Sequence, residues 1–365
     1  MTEHQTPDLL PPAMWTAPEQ ALWQAHHAGR PLDLRTGDPA RDDPAAGSDW
    51  PEERFLRAEV LAELLLAGPP KSGAVARPLR VIGARITGKL DLSAARIDIP
   101  LSVKSSCFDQ TPTFDHADLV ALDLDGCHLP GIEAEALRVS TWLGIRGGRV
   151  GGDLWMFNAR IDGTADLGDT TVGGDFTLGS SVMGGGLRLT GFACGGEARL
   201  RSCRISGDLD LAGAALSNPG ATALSASGLT VDGSFLAHGL TVRGEANLTG
   251  ARIGGTLALV DVTLREPPST GWVLLLIEAQ APMARLRPTA GSRGRVSLRD
   301  AHFGRFVDDV VGWPEAMSAE LDGFTYERLT HRTSDTVRPD VTQRLTWLAR
   351  QTDATSAGFS PAPYE

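Results

Sequence analysis

The chain has 365 residues, a formal net charge of −11 and a pI of about 5.2. Hydrophobic residues make up 42%, enough for a continuous core, but aromatics are only 6% and glycine reaches 42 residues, so the core must be built from small and aliphatic side chains on a chain that turns often. The acidic balance argues against direct nucleic-acid binding, which needs Lys and Arg to neutralise phosphates; it leaves open a basic protein partner, or a charge that serves solubility alone.

The first residues, MTEHQTPDLLPPAMW, lack a basic start followed by an apolar run, so they do not read as a signal peptide. Ala17–Arg30 reads as a short helix. The polar segment Leu34–Asp49 reads as a mobile linker. Trp50–Pro70 reads as a second helix, with Pro51 and two Glu in its first turn and Gly68-Pro69 as its stop. Its apolar stripe is Phe55, Leu56, Val60, Leu61, Leu64 and Leu65, expected to cover the open end of whatever follows. Residues 1–75 are therefore assigned to a helical cap and linker.

From Gly151 to Leu216 the chain repeats every eleven residues. Numbering each unit 1 to 11 from Gly151, place 2 is always Gly: Gly152, Gly163, Gly174, Gly185, Gly196 and Gly207. Places 4 and 6 are mostly apolar, as in Leu154 and Met156, and so share one face of an extended strand. Place 9 is usually small and place 11 apolar, which makes a second short step. Glycine at place 2 fits a corner where φ is positive or backbones crowd. A helix is excluded, because this glycine density would cost about 1 kcal/mol per residue relative to Ala.

Short strands joined by glycine corners, repeated many times, describe a solenoid whose units bury their apolar side only by stacking. The register extends upstream to Thr87–Ile97 and Asp98–Phe108, weakens, and returns at Ser140–Val150. Downstream, the segment starting at Ser217 carries extra residues, read as a corner loop, and the register resumes and runs to Leu264. A closed coil needs three or four sides, so two units, 22 residues, should make one coil. About eight coils at about 4.8 Å each give a rod core of about 40 Å. The fold is thus expected to be a right-handed parallel β-helix over 76–330, the hand following the rule for parallel crossovers.

The 22-residue coil places Asp153, Asp175 and Glu197 in one ladder of carboxylates, and Arg160 and Arg204 on another edge two coils apart. The ladder reads as an acidic strip for a basic partner or a cation, or as a solvated face with screened repulsion. Trp155 sits at outward place 5, with Arg199 at the same place two coils on. Trp142 is also near an outward place. Asp153, Trp155, Asp175, Glu197 and Arg199 are the candidate interaction surface. They also resemble the charged groove of a carbohydrate-active β-helix, although paired carboxylates arise readily in an acidic repeat.

Cys107, Cys127, Cys194 and Cys203 have no metal-finger spacing and read as small core residues of a reducing compartment. The glycine runs at 147–152 and 184–186 keep phase with the repeat and precede no helix, so they are not dinucleotide or phosphate loops. His26, His27, His116, His128, His238 and His302 are scattered. No cofactor or metal is expected. The longest apolar runs, around Leu61–Leu66 and Val273–Ile277, are too short to span a bilayer.

Gly271–Pro288, Gly294–Phe306 and Ala319–Leu329 read as strands that continue the coil. Arg338–Gln351 reads as an amphipathic helix with Val341, Leu345, Trp347 and Leu348 on one face. Residues 331–365 are assigned to this helix and a tail. The final GFSPAPYE reads as the start of a further helix and leads us to expect a longer protein.

The tandem GGxLxLxxARI units resemble the right-handed β-helix of pentapeptide-repeat-like proteins. WPEERFLRAEVLAELLLAG, VIGARITGKLDLSAARI, LDGFTYERL and GFSPAPYE are similar to an actinobacterial group often labelled membrane-associated oxidoreductase. The resemblance covers roughly Leu32 to Glu365. It implies attachment to the membrane through hydrophobic segments beyond these residues, and so a cytoplasmic protein peripheral to the inner face. No catalytic motif of that group maps onto a residue here, and a period of eleven departs from the five of true pentapeptide repeats. The leading expectation is a non-catalytic scaffold or protein-interaction module. The alternatives are an enzyme, either the oxidoreductase of the label or a carbohydrate-active β-helix, and a DNA mimic.

Overall fold

A computed structural model describes residues 14–67, 77–308, 313–331 and 349. Its strands pair in parallel, each with the strand one coil further along, to form a β-solenoid of about 11 turns with coils about 22 residues apart. At about 4.8 Å per coil the rod is roughly 50 Å long.

One coil shows how the repeat closes. It has four sides, carried by Leu154–Trp155 (side 1), Arg160–Ile161 (side 2), Thr164–Asp166 (side 3) and Thr171–Val172 (side 4). Leu154 pairs with Phe176, Arg160 with Val182, Ala165 with Leu187 and Thr171 with Ala193. Two eleven-residue units therefore make one coil. Places 4, 6, 9 and 11 point inward, and Leu154, Met156, Ala159 and Ile161 are all buried. When place 9 is polar it bonds within the core. The Ser181 hydroxyl donates to the Met156 carbonyl at 3.0 Å and accepts the Ala159 N–H at 2.9 Å.

The two turns in each unit work differently. Place 8 takes the left-handed conformation: Asn158, Asp169, Ser180, Gly191, Ser202 and Gly213 have φ between 55° and 67°. The place-2 glycines do not, which resolves the two readings of that corner. They are there because the preceding coil leaves no room for a β-carbon. One on Gly163 would lie inside the Thr141 carbonyl, and one on Gly185 would sit 2.8 Å from the Gly163 carbonyl oxygen.

The rod has more coils than the expected eight. The weak stretch after Phe108 is also coiled, with fewer residues per coil: Leu101 pairs with Leu122 and Asp118 with Arg138. The extra residues after Leu216 bulge out at the corner between sides 4 and 1, as expected: Ser217 and Thr222 pair with Arg243 and Glu245, and residues 218–221 between them have no strand partner. They lie within a long strand, Ala215–Ser225, and the coil lengthens so that Leu209 pairs with Phe235. Downstream, Met317–Glu320 and Thr325–His331 extend the sheets as expected.

Stacking also begins before residue 76. Leu32–Asp33 pairs with Val81–Ile82, and Phe55–Arg57 pairs with Arg85–Thr87. The expected helix over 50–70 is thus split: its start is a short turn and a strand, and only Ala58–Leu66 (α2) is helical. Pairing with the first full coil outweighs local helix propensity. Val60, Leu61, Leu64 and Leu65 of α2 are buried in the same core as the coils, as a cap requires.

The segment expected to be mobile is held in place. The Asp42 carboxylate accepts the N–H groups of Thr36 and Gly37 at 2.9 and 2.8 Å, and pairs with Arg54 at 3.0 Å. Arg54 is only 4% exposed, stacks on Trp50 with 3.3 Å to the ring centroid, and donates to the Gly83 carbonyl at 2.7 Å. The first helix, Ala17–His27 (α1), is tied to the start of α2 by buried Glu19. Glu19 accepts from Arg57 Nε at 2.7 Å and Nη2 at 2.8 Å. The helix expected over 338–351 and the tail beyond it lie outside the described residues, apart from residue 349.

Candidate interaction face

Side 1 gathers the five candidate residues. Strand pairing lines up Glu133, Trp155, Thr177, Arg199, Ser225 and Asn247 at place 5. Asp153, Asp175 and Glu197 form the neighbouring column at place 3. The ladder of carboxylates is therefore real as geometry.

Its chemistry is more structural than a bare acidic strip. Asp153 Oδ1 accepts the Asp175 N–H at 2.8 Å, and Asp175 Oδ1 accepts the Glu197 N–H at 2.8 Å. Each carboxylate thus satisfies a backbone donor of the next coil, at the corner where the ladder of strand bonds is interrupted. Arg199 then lies between two carboxylates, 2.8 Å from Asp175 and 3.0 Å from Glu197. Arg201 is 3.7 Å from Glu197. Two of the three carboxylates, Asp175 and Glu197, are thus met by two guanidinium groups. Burial, the largest effect on Arg199, opposes its charge, but the two carboxylates outweigh it and hold it more firmly protonated than usual.

The part of side 1 nearer the N-terminus is different. Trp155 and Phe157 are 39% and 37% exposed, with ring centroids 6.3 Å apart. Beside them is an open groove of about 490 Å³ lined by Asp115, Glu133, Glu135, Asp153 and Trp155. Asp115 accepts the Glu135 N–H at 2.8 Å, and Glu133 is reached by Thr113 at 2.9 Å and by Lys89 at 3.5 Å. Sequence reading missed Phe157 and the carboxylates Asp115, Glu133 and Glu135. The available signal was an aromatic at place 7. Trp142 is not part of this face: its strand partner is Thr164 on side 3, and it is half-buried.

The four cysteines are free and buried. Burial is the main cause that pushes the thiols of Cys127 and Cys203 up to about 12. No group of three His, Cys, Asp or Glu side chains among the described residues is placed to hold a metal ion. No described helix is long and apolar enough to cross a membrane. Comparison with protein families, with curated proteins and with solved structures finds no match to this chain.

Proposed function

We propose that this chain is a non-catalytic scaffold which presents side 1 of a rigid rod to a basic protein partner. The observation that carries this reading is the pair Trp155 and Phe157, exposed together beside a groove with four carboxylates. Aromatic anchors beside charge are the usual composition of a binding hot spot. A partner Lys or Arg can stack on Trp155 while its charge meets Glu133 or Asp153. The strands beneath are locked by pairing on both edges, so binding orders little of this chain. Under the family resemblance, residues outside this chain would tether the rod to a membrane.

The test is site-specific crosslinking in intact cells, with a photoreactive phenylalanine analogue at Trp155 or, as control, at exposed Arg149 on side 4. A discrete protein adduct from position 155, absent from 149 and reduced by Glu133→Gln with Asp153→Asn, is expected. Equal adducts from both positions, or none from 155, would reject the reading.

A further inference from the structure

Side 2 carries a second surface of opposite sign. Strand pairing sets Arg138, Arg160, Val182, Arg204, Thr230, Arg252 and Gln280 in one straight column, each residue one coil beyond the last. At about 4.8 Å per coil the four arginines stand about 5, 10 and 10 Å apart, over about 24 Å. All four are exposed. Arg160 pairs with Asp162 at 2.8 Å, whereas none of the ion pairs among the described residues takes up Arg138, Arg204 or Arg252. These three contrast with Arg199 and Arg201 on side 1, which are both engaged by carboxylates.

Two grooves lie along the same column. One, of about 410 Å³, is lined by Arg138, Arg160, Asn158, Ser180 and His116, and also by Asp118, the strand partner of Arg138 one coil earlier. The other, of about 910 Å³, is lined by Arg252, Thr230, Gln280, His302 and Arg305, and by the carboxylates Asp232 and Glu327. Thr230 and Gln280 in the column, and Asn158 and Ser180 beside it, thus place hydroxyl and amide groups next to the guanidinium groups. The net negative charge of the whole chain does not cancel this, because its field is screened beyond about 8 Å at physiological salt.

We infer that side 2 binds a linear carboxylate-bearing polysaccharide, laid along the rod. A guanidinium fork accepts a carboxylate in two parallel hydrogen bonds, and a polyuronide presents such groups at regular intervals along an extended chain. The side chains of Ser180, Thr230, Asn158 and Gln280 in and beside the column match the sugar hydroxyls. A single-stranded nucleic acid also has regular charge, but it gains much of its affinity from aromatic platforms, and the column from Arg138 to Gln280 has no aromatic residue. This surface is distinct from side 1, so either proposal can fail without the other.

The experiment is titration of the whole chain with oligogalacturonate, with neutral dextran, oligo(dT) and phosphatidylserine vesicles as comparison ligands. Binding of oligogalacturonate that weakens steeply with added salt is expected, with little binding of dextran. The triple variant Arg138→Ser, Arg204→Ser, Arg252→Ser should lose at least about tenfold in affinity, one factor of ten being 1.4 kcal/mol. The single variant Arg204→Glu should lose part of it, and serves if the triple variant does not fold. Arg149→Ser, an exposed arginine on side 4, should leave it unchanged. The inference is overturned if oligogalacturonate does not bind, if Arg204→Glu binds as the parent does, or if oligo(dT) or the vesicles bind more tightly.

Discussion

The carboxylate of Asp153 fills the space above Gly174 that a β-carbon would need, and from there accepts the Asp175 N–H at 2.8 Å. Asp175 stands in the same relation to Gly196 and Glu197, Asp208 to Gly233 and Ser234, and Ser234 to Gly255 and Thr256. Glycine at place 2 and a short acceptor at place 3 one coil earlier are thus one device. Gly174→Ala should destabilise by about 1–3 kcal/mol through overpacking. Asp153→Ala should cost about 1 kcal/mol by orphaning the Asp175 N–H. The double variant should cost less than the two added together, because the carboxylate that crowds residue 174 has gone. The Gly152 carbonyl carbon, 3.0 Å from the new methyl, keeps the rescue incomplete. Additive costs in urea melts would refute the coupling.

The left-handed turns give a prediction of opposite sign. Ala94 and Ala136 hold φ of 55° and 52° at these turns, without the polar side chain that eases the conformation in Asn158 or Asp169. Ala136→Gly should therefore stabilise by up to about 1 kcal/mol, the relief of strain exceeding the entropy cost of glycine. Ala159→Gly, one place after such a turn and buried, should destabilise by a similar amount through loss of a packed methyl. A lower melting temperature for Ala136→Gly would show that the turn is not strained.

What could be read from the sequence was whatever repeats in a fixed register. Places 4, 6, 9 and 11 face inward because the unit recurs intact from Gly151 to Leu216, and the carboxylate ladder follows from the same count. The left-handed place 8 was missed because Asn158, Asp169, Ser180 and Gly191 share a conformation and not an identity. The coil between Phe108 and Ser140 was missed because it holds fewer residues than 22, and side-chain pattern alone does not reveal a shortened coil. Phe55–Arg57 reads locally as helix; its strand pairing with Arg85–Thr87 is a contact distant in sequence. The neutralising role of Arg199 toward Asp175 was hidden for the same reason, since the two meet only across coils.

The cap should be acid-labile. Burial, the largest effect on Glu19, raises its pKa, but the Arg57 pairing and backbone donors outweigh it and hold the carboxyl at about 2, against an ordinary 4.5. A depressed pKa stabilises the fold above the unfolded value and loses that contribution as pH falls through the folded one. The α1 contact should therefore weaken between pH 4.5 and 2, by on the order of 2–3 kcal/mol. Hydrogen exchange in Ala17–His27 should rise across that window relative to the central coils. Glu19→Gln should show high exchange throughout, with little further dependence on pH. Unchanged protection of the parent down to pH 2 would mean that the pair does not hold the cap.

The cysteines test how tightly the coils are closed. Cys203 Sγ donates to the Leu178 carbonyl at 2.8 Å and Cys127 Sγ to that of Val103 at 3.1 Å, both within the core. With thiols at about 12, the thiolate fraction at neutral pH is only about one in 10⁵. Iodoacetamide should therefore modify these two only through unfolding, at a rate that rises with urea in step with loss of the fold. Cys107 is also buried and its thiol is raised, but it packs against Gly47 in the Pro44–Asp49 turn at the N-terminal end of the rod. It should react first, at urea concentrations where only the cap opens, and Asp42→Asn should speed it without affecting Cys203. Rapid native-state labelling of Cys203 would instead require coils that part in the middle of the rod, and a scaffold with that property could not hold either charged face in register.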